Sequence, residues 1–432
     1  MIQLGERADL IADGHGAALV LRGANVSGEA KHTPDRLATL GPPELACMRD
    51  LLGLSAIRLV VFWEAIEPEP GRYDDRYLAA VAERVRLARA HDLEVVVDMH
   101  QDLFGRAFGH AGAPRWATSD ALAASFRPTT PWMLGYLSAE VGGAFDALYE
   151  AGPLRASFVG AWARLARALA GAGVLAYDLL NEPGWGTRSA DAFERDVAPG
   201  FYGELVDAIR TVDASTWIAV EPAPTANVGT PSALVAPARP RLIYAPHTYA
   251  PALELGHGYD PARDAPGAIV RSHAAHARLL GTPLLVGELG VRRDIAGGAR
   301  YLADAYDALD AEMASAFAWD FARGDDRSYA LLDATGAPTD LARAIARPYP
   351  RRIAGTPVGW AYDAQLGRFV ARWDEPDAHR AVTRIVLPAL AFPHGARARV
   401  DGGRWATSSE RELHVAAHGG QRLCEVERLD AR

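Results

Sequence analysis

The run VLAYDLLNEP, residues 174–183, is an apolar stretch that ends abruptly on an amide, a carboxylate and a proline. A run of this length between glycine-rich turns is typical of a short strand covered on both faces, as in a parallel sheet. Asn181 and Glu182 then lie at the carboxyl end of that strand. Because Asn-Glu-Pro also fits a simple turn, the fold depends on whether other strands end in the same way.

Seven further strand-like runs occur, and they begin at Ala18, Ala56, Leu93, Thr216, Arg241, Thr282 and Ser315. Segments with apolar residues at spacings of three and four separate these runs, which is the pattern of helices that pack on a sheet. No glycine-rich phosphate loop follows any of the runs, so an open doubly wound sheet is disfavoured. The alternation predicts an α/β fold, specifically a (β/α)₈ TIM barrel.

The pattern changes near residue 348, where apolar and polar residues begin to alternate, as in GRFVARW. Alternation interrupted by Gly, Asp and Pro is typical of antiparallel strands. We therefore predict a catalytic barrel over residues 1–347 and an antiparallel β-sandwich over residues 348–432, packed on the barrel.

The composition limits the classes of partner. The formal net charge is −9 and the isoelectric point is near 5.8, so no overall positive field exists to attract nucleic acid. The two cysteines have no C-x-x-C spacing. The first residues lack the pattern of a signal peptide, so we expect a cytoplasmic protein by default, or a secreted one if a signal peptide has been removed. We expect no cofactor, no metal and no obligate protein partner.

The polar residues at the strand ends include two carboxylates that face one another across the barrel mouth. Glu182 and Glu288 suit hydrolysis of a glycosidic bond, which needs a proton donor and a nucleophile. We expect Arg58 and the hydroxyl of Tyr249 to lower the pKa of Glu288, the nucleophile. Glu182 is the expected acid/base, with a raised pKa, and His247 assists its proton transfer.

The remaining polar residues have both a functional and a structural interpretation. Asn181 is placed to bind a sugar 2-hydroxyl, and Trp319 offers an apolar face to a pyranose ring. A strand-end carboxylate is often only a helix cap or an ion-pair partner, and an arginine such as Arg58 is often a structural salt bridge. Glu221 is interpreted as substrate-facing or structural. His273 and His276 in HAAH have a metal-like spacing, but a solvated helix face is the preferred interpretation.

A connection of roughly fifty residues follows the third predicted strand, far longer than a usual βα loop. It carries apolar residues on the face where barrel enzymes bind substrate, among them Phe104, Phe108, Trp132 and Leu134. Two interpretations stay open: these residues form the small core of the loop, or they form an apolar wall for a lipid.

Several motifs together resemble a known family: VVVDMHQDLFGRAFG, GAPRWA, YDLLNEP, YAPHTYAP, LLVGELG and FAWDF. The sequence resembles glycoside hydrolase family 5, in particular its endoglycoceramidase and glycosylceramidase branch, over essentially the whole chain. The resemblance implies that Glu182 is the acid/base and Glu288 the nucleophile. It also implies a set of supporting residues: Arg58, His100, Asn181, His247, Tyr249 and Trp319. Lys31 and Asp102 match positions that contact the sugar next to the lipid, whereas Asp320 and Trp185 depart from the usual pattern.

The expected function is that of a retaining β-glycosidase that hydrolyses the glycosidic bond of glycosphingolipids through two glutamates. One alternative is a β-glucosidase or endoglucanase that acts on soluble glycans. The other is a glycan- or glycolipid-binding protein without activity. The expected partner is a glycolipid or glycoside substrate, and the apolar loop allows a transient contact with a membrane or micelle surface.

Overall fold

The computed structural model describes residues 9–26, 29–376 and 381–430. The chain begins with two short antiparallel strands, β1 (Ile11–Ala12) and β2 (Ala18–Leu19). Eight parallel strands follow and form a single sheet. Their bounds are β3 (Arg22–Val26), β4 (Ala56–Val61), β5 (Glu94–Met99), β6 (Ala176–Asp178), β7 (Trp217–Val220), β8 (Leu242–Tyr244), β9 (Leu285–Leu289) and β10 (Ser315–Ala318).

The parallel sheet closes into a barrel between β8 and β9. The Gly287 amide donates to the Pro246 carbonyl at 3.0 Å, and the Thr248 amide donates to the Glu288 carbonyl at 2.8 Å. Strand β4 shows why the barrel forms, since all of its residues are buried, as expected for a strand covered on both faces. This architecture confirms the predicted (β/α)₈ barrel.

Helices cover the outside of the barrel. In the helix over residues 75–90, Leu78, Val81 and Val85 form one apolar face that packs toward the sheet, and the Asp74 carboxylate caps the first turn by accepting from two backbone amides. No helix within the described ranges is long and apolar enough to cross a membrane. The α-helices are α1 (Pro42–Ala46), α2 (Trp63–Ile66), α3 (Asp75–Ala90), α4 (Asp120–Ser125), α5 (Ala139–Tyr149), α6 (Pro153–Leu169), α7 (Ala190–Ala192), α8 (Ala198–Arg210), α9 (Pro251–Glu254), α10 (Pro261–Asp264), α11 (Pro266–Leu280), α12 (Gly298–Ala311) and α13 (Asp340–Ile345).

Ten further strands follow the barrel within the described residues. They are β11 (Arg323–Gly324), β12 (Leu332–Asp333), β13 (Tyr349–Ile353), β14 (Thr356–Asp363), β15 (Arg368–Glu375), β16 (Val382–Val386), β17 (Ala396–Val400), β18 (Ala406–Ser408), β19 (Glu412–Ala416) and β20 (Gly420–Arg428). Strands β13 to β20 form two antiparallel five-stranded sheets, one of which also includes β1 and β2; their orders are β1-β2-β13-β16-β19 and β14-β15-β20-β17-β18. Strand β15 alternates buried and less buried residues, with Phe369, Ala371 and Trp373 pointing inward. This alternation confirms the predicted antiparallel sandwich.

The first predicted strand differs from the observed one. The run from Ala18 was expected to form a single barrel strand, but its first residues pair with β13 of the sandwich, and the barrel strand begins only at Arg22. The reason is packing, because Ala18 and Val20 are buried in the sandwich core. The division at residues 347/348 stays a prediction, and the hairpin of β1 and β2 belongs to a sheet of the C-terminal part.

The long connection between β5 and α6 is folded rather than extended. It contains α4, α5 and short 3₁₀ segments. Its aromatic residues contact one another: the rings of Phe104 and Phe145 lie 5.1 Å apart, and those of Phe108 and Phe126 lie 4.9 Å apart. This connection therefore has a small core of its own, as the first of the two open interpretations predicts.

Candidate active site

Two glutamates meet at the carboxyl end of the barrel. Glu288 lies in β9, and Glu182 follows β6. Three atoms lie within 4.8 Å of one another: one carboxylate oxygen of each glutamate and one ring nitrogen of His247. Retaining glycosidases hold their two carboxyl groups about 5 Å apart, whereas inverting enzymes keep them farther apart to admit a water molecule. The observed spacing therefore fits a double-displacement reaction.

The fully buried guanidinium of Arg58 organises the floor of this site. A guanidinium has five N–H groups in a rigid plane, so it can orient several acceptors at once. Arg58 points inward from β4 and contacts side chains from five other strands and their ends at 2.9–3.0 Å: Asn25, Asp98, Asp178, Asn181, Glu221 and Glu288. Arg58 is thus a structural ion-pair centre and also a direct partner of Glu288.

The two oxygens of Glu288 have different donors. Arg58 donates to Oε1 at 2.9 Å, and the Tyr249 hydroxyl donates to Oε2 at 2.8 Å. These are the two partners predicted from the sequence. Burial nevertheless raises the pKa of Glu288, although the positive charges of His247 and Arg58 oppose the rise. The predicted lowering of this pKa is wrong, because the cost of burial exceeds the attraction of these positive charges.

Glu182 has two side-chain donors on one oxygen. His247 Nδ1 lies 2.9 Å from Oε1, and Asn227 Nδ2 donates to the same oxygen at 2.8 Å. Burial alone would raise the pKa of Glu182, but the hydrogen bond and the positive charge of His247 outweigh it and lower this pKa, with Lys31 adding to the effect. The predicted rise is therefore also wrong for the substrate-free protein, whereas the predicted contact with His247 is present.

Hydrogen bonds on both sides hold the backbone of Glu182 in a strained conformation. Its φ angle is +42°, a left-handed value that a side chain with a Cβ atom seldom adopts. The amide of Glu182 donates to Glu221 Oε2 at 2.8 Å, and Gln101 Nε2 donates to the carbonyls of Asn181 and Glu182 at 2.7 and 2.8 Å. These hydrogen bonds fix the position from which Glu182 reaches into the site.

A second group of side chains forms a platform beside the glutamates. Lys31 Nζ pairs with Asp102 at 2.8 Å and lies 4.5 Å from the Trp319 ring centroid. His100 stacks on Trp319 at 5.7 Å, and its Nδ1 bonds the Asp98 carboxylate at 2.7 Å. Burial and the charge of Lys31 keep the pKa of His100 well below its usual value, so the ring is neutral. A flat ring with charged and neutral polar groups packed against it suits a sugar.

Asn181 is almost fully buried and has partners for both of its amide atoms. Its oxygen accepts from Arg58, and its nitrogen donates to the Gln101 carbonyl at 3.0 Å. An amide nitrogen carries two hydrogens, and this bond uses one of them. The predicted contact with a sugar 2-hydroxyl stays a prediction.

Two clusters of described residues bring donor atoms close enough for a metal ion: Glu182, His247 and Glu288, and Asp98, Asp178 and Glu221. In the first cluster the neighbouring carboxylates hold the pKa of His247 well above its usual value, although burial opposes this, and a protonated ring does not bind metal. In the second cluster the Arg58 guanidinium already neutralises the carboxylates. Both clusters are better explained without a metal.

Residues 44–325 match the family model for cellulase (glycosyl hydrolase family 5), and residues 347–425 match the family 5 C-terminal domain. The chain belongs to glycoside hydrolase family 5. One sequence relative of this family 5 chain is endoglycoceramidase I of Rhodococcus hoagii (strain 103S). The two are 27% identical over 439 residues, and the alignment covers 95% of this chain and 85% of the relative.

Solved structures resemble the family 5 protein over its whole length. Endo-glycoceramidase II from Rhodococcus sp., in complex with ganglioside GM3, superposes with a TM-score of 0.87 at 30% identity, covering 98% of this chain and 100% of that one. The same protein as a lactosyl-enzyme intermediate gives a TM-score of 0.85 at the same identity and coverage. An endogalactoceramidase gives a TM-score of 0.73 at 25% identity, covering 98% of each chain.

The four apolar residues predicted to face a lipid divide into two pairs. Phe104 and Phe108 are only 2% and 4% exposed, because they pack in the core of the long connection. Trp132 and Leu134 are 41% and 45% exposed and lie in a 3₁₀ segment of the same connection. Of the predicted set, only the second pair reaches the surface of this family 5 protein.

Several residues of the site are absent from the sequence prediction. Asn227 lies seven positions after the end of β7, in a 3₁₀ segment, and no sequence pattern marks it. Gln101 lies in the stretch VVVDMHQDLFGRAFG, but nothing in its sequence neighbourhood predicts that it holds the backbone of Glu182. Asp98 and Asp178 do have a signal in the sequence, because each is a carboxylate within an apolar run, VVVDM and VLAYDLL.

The histidines of HAAH lie on α11 and bind backbone carbonyls. His273 Nε2 lies 2.9 Å from the His247 carbonyl, and His276 Nε2 lies 3.0 Å from the Leu234 carbonyl. His273 is buried, so the solvated helix face predicted for this motif is wrong there. Its contact with the backbone of His247 instead supports the wall of the site.

Proposed function

We propose that this family 5 protein is a retaining β-glycosidase that hydrolyses the bond between sugar and lipid in glycosphingolipids. The observation that carries the proposal is the pair of glutamates whose carboxylate oxygens approach within 4.8 Å. Each glutamate has its own set of donors: Arg58 and Tyr249 on Glu288, and His247 and Asn227 on Glu182. Two carboxyl groups in different environments are what acid and nucleophile roles need.

In the first half of the proposed reaction, Glu288 attacks the anomeric carbon while Glu182 gives a proton to the leaving oxygen. Arg58 and Tyr249 orient the attacking carboxylate through separate oxygens. In the second half, Glu182 removes a proton from water, and the water attacks the glycosyl ester on Glu288. The positive charge of His247 next to Glu182 favours its carboxylate form, which is the form needed as a base.

The platform beside the glutamates supports sugar binding. Trp319 presents its ring, and the Lys31–Asp102 pair and His100 surround it. The pKa of Asp102 is lowered because Lys31 outweighs the effect of burial, so both partners are charged at neutral pH. Charged groups that hold one another in place are pre-organised to bind sugar hydroxyls.

The lipid part of the proposal rests on the relatives and on exposed apolar side chains at the barrel mouth. Endo-glycoceramidase II from Rhodococcus sp. has been solved with ganglioside GM3. Trp132, Leu134 and Leu137 are exposed in the connection after β5, and Leu255 is exposed after α9. Both segments follow carboxyl ends of barrel strands, where barrel enzymes bind substrate. We infer that these side chains contact the lipid or the membrane or micelle surface that carries it.

One observation favours the alternative of a soluble glycan as substrate. Phe104 and Phe108 fold into the core of the long connection and do not line a groove beside Glu182. A β-glucosidase or endoglucanase would need the same two glutamates and the same platform, but no apolar surface at the mouth.

The deciding experiment offers fluorescent glucosylceramide, lactosylceramide and an aryl β-glucoside to the purified protein side by side. The proposal predicts a higher kcat/KM for a ceramide glycoside than for the aryl glucoside, since each methylene removed from water contributes about 0.8 kcal/mol. Hydrolysis of the aryl glucoside alone would favour the soluble-glycan alternative. If none of the three substrates is hydrolysed, the remaining alternative is a glycan- or glycolipid-binding protein without activity.

A further inference from the structure

Asn227 bonds Glu182 and also the segment that follows β8. It lies in the 3₁₀ segment Pro224–Val228 and is 4% exposed. Its Nδ2 donates to Glu182 Oε1 at 2.8 Å, and its Oδ1 accepts from the backbone amide of His247 at 3.1 Å. Its backbone carbonyl accepts from the amide of Tyr249 at 2.9 Å. One residue therefore joins the proposed acid/base to two positions of the segment after β8.

The segment after β8 carries a donor for each of the two glutamates. The His247 ring bonds Glu182, and the Tyr249 hydroxyl bonds Glu288. On its other side, the backbone of this segment pairs with strand β9. Asn227 and β9 thus hold the segment from opposite sides, and the place of Asn227 affects the donors of both carboxyl groups.

A buried carboxylate fixes the stretch of chain that carries Asn227. Glu194 Oε1 accepts from the Ala223 amide at 2.8 Å. Glu194 Oε2 accepts from the Ser232 hydroxyl at 3.1 Å and from the Ala233 amide. Glu194 therefore joins the two ends of this stretch. The amide of Asn227 is held in place before a substrate binds, which is the pre-organisation that a catalytic site needs.

Two donors on the same oxygen decide which oxygen of Glu182 can carry a proton. Burial opposes a charge on His247, but the neighbouring carboxylates raise its pKa well above its usual value, so Nδ1 donates a hydrogen to Oε1. Asn227 donates a second hydrogen to the same atom. A carboxylate oxygen has two lone pairs, so these two donors occupy Oε1. The proton of the acid form therefore belongs on Oε2.

We propose that Asn227 is a positioning residue that, with His247, holds Oε1 of Glu182, so that Oε2 is the oxygen that transfers the proton. The inference rests on the proposed glycosidase function. In the first half-reaction, Oε2 gives its proton to the leaving oxygen as the bond of that oxygen to the anomeric carbon breaks and Glu288 bonds the carbon. In the second, Oε2 takes a proton from water, whose oxygen bonds the anomeric carbon as the ester bond to Glu288 breaks.

A donor on Oε1 stabilises the carboxylate form of Glu182, which is the form that acts as the base. Two or three such donors together lower a carboxyl pKa by about 2 units, so the loss of one should raise the pKa of Glu182 by about 0.5–1 unit. The charged groups that face Glu182 stay in place when Asn227 is replaced, so such a rise can be assigned to the lost donor. They are Lys31, Arg58, Asp102, Glu221, His247, Glu254 and Glu288.

The test measures kcat against pH for hydrolysis of 2,4-dinitrophenyl β-glucoside by Asn227→Ala. The leaving group of this substrate departs unprotonated, so hydrolysis of the glycosyl ester limits kcat, and in that step Glu182 acts as the base. The acid limb of kcat should move to higher pH by about 0.5–1 unit. The ratio of the variant's kcat to that of the wild type should therefore fall about 3- to 10-fold as the pH is lowered from 8 to 4.

Asn227→Asp should show the opposite trend. The new carboxyl group has the size of the amide and can still accept from the His247 amide, but it donates to Oε1 only while it is protonated. The ratio of its kcat to that of the wild type should rise as the pH is lowered, because the donor then returns. This variant also decides the question if Asn227→Ala does not fold.

Ser232→Ala is the matched control. It removes a hydrogen bond that supports the same stretch of chain but leaves both donors on Glu182. Its kcat relative to the wild type should not change with pH. Ratios that stay constant with pH for both Asn227 variants would overturn the proposal and assign Asn227 a purely structural role. A wild-type protein that does not hydrolyse the dinitrophenyl glucoside would instead contradict the proposed function.

Discussion

At the scale of single residues, Glu288 shows how burial and hydrogen bonding compete. Its burial raises its pKa, yet Arg58 and Tyr249 fix both of its oxygens for attack. Glu288→Gln keeps these contacts in part and removes the proposed nucleophile. We expect turnover of every β-glycoside to fall below detection, whereas binding of the product sugar, measured by calorimetric titration, remains because Lys31 and Asp102 are untouched. Turnover within tenfold of the wild type would contradict the assignment.

The role of Glu182 can be distinguished from that of Glu288 by the leaving group of the substrate that is tested. Glu182→Ala removes the proposed proton donor, and proton donation contributes about 10²- to 10⁴-fold to the rate for leaving groups that need a proton. We expect dinitrophenyl β-glucoside to retain activity, because its leaving group needs none. Azide should enter the space left by the side chain, attack the glycosyl ester on Glu288 and yield a β-glycosyl azide, detectable by mass spectrometry. Absence of both azide acceleration and the azide product would remove the main support for the acid/base role.

At the scale of elements, the sequence was sufficient to locate the barrel strands and the residues at their ends, except for the start of the first strand, which lies at Arg22 and not at Ala18. An apolar run that ends on a polar residue identifies a buried strand and its carboxyl end together, so Glu182, Glu288 and Arg58 could be placed at one site. Asn227 could not be placed, because it lies in a 3₁₀ segment whose path depends on tertiary contacts. The predicted directions of the pKa shifts of Glu182 and Glu288 were also wrong. These shifts depend on the balance between burial and the charges of His247 and Arg58, and no sequence pattern encodes that balance.

The prediction about lipid contact concerns the long connection between β5 and α6. Replacing Trp132 and Leu134 with Asn removes apolar surface that is nearly half exposed in the substrate-free protein. We expect kcat/KM on micellar glucosylceramide to fall about tenfold, since covering two such side chains contributes roughly 1–2 kcal/mol. The loss on an aryl β-glucoside should be smaller. Leu279→Asn is the matched control, because Leu279 is 84% exposed but lies near the end of α11, which leads into the amino end of β9. Equal losses on both substrates would mean that the connection only supports the fold.

At the scale of the whole molecule, charged groups join the barrel to the sandwich. Asp92 lies in the turn between α3 and β5 with a φ angle of +61°. Its carboxylate binds Arg351 of β13 at 2.9 Å and Arg384 of β16 at 2.7 Å. The hairpin of β1 and β2 crosses the same junction, because it pairs with β13 and then continues into the barrel strand β3. The two parts are therefore connected at both ends of the barrel sequence, which the change of pattern near residue 348 alone does not reveal.

This junction gives a prediction about stability and pH. Burial would raise the pKa of Asp92, but Arg351 and Arg384 outweigh it and lower this pKa. A carboxyl group with a lowered pKa in the folded state stabilises the protein at pH values above its unfolded pKa, about 3.9, and this contribution disappears as the pH falls through the folded value. Asp92→Asn should therefore lower the thermal midpoint at pH 7 by about 1–3 °C, as half-exposed charged hydrogen bonds contribute about 1 kcal/mol.

The difference between wild type and Asp92→Asn should shrink as the pH is lowered from 5 to 3, because the wild-type carboxylate is then protonated as well. Differential scanning calorimetry over this pH range measures the difference between the two thermal midpoints. Asp207→Asn is the control, since the Asp207–Arg239 pair is exposed, lies within the barrel and should leave the midpoint unchanged. A midpoint difference for Asp92→Asn that stays constant down to pH 3 would mean that the lost contact is not electrostatic.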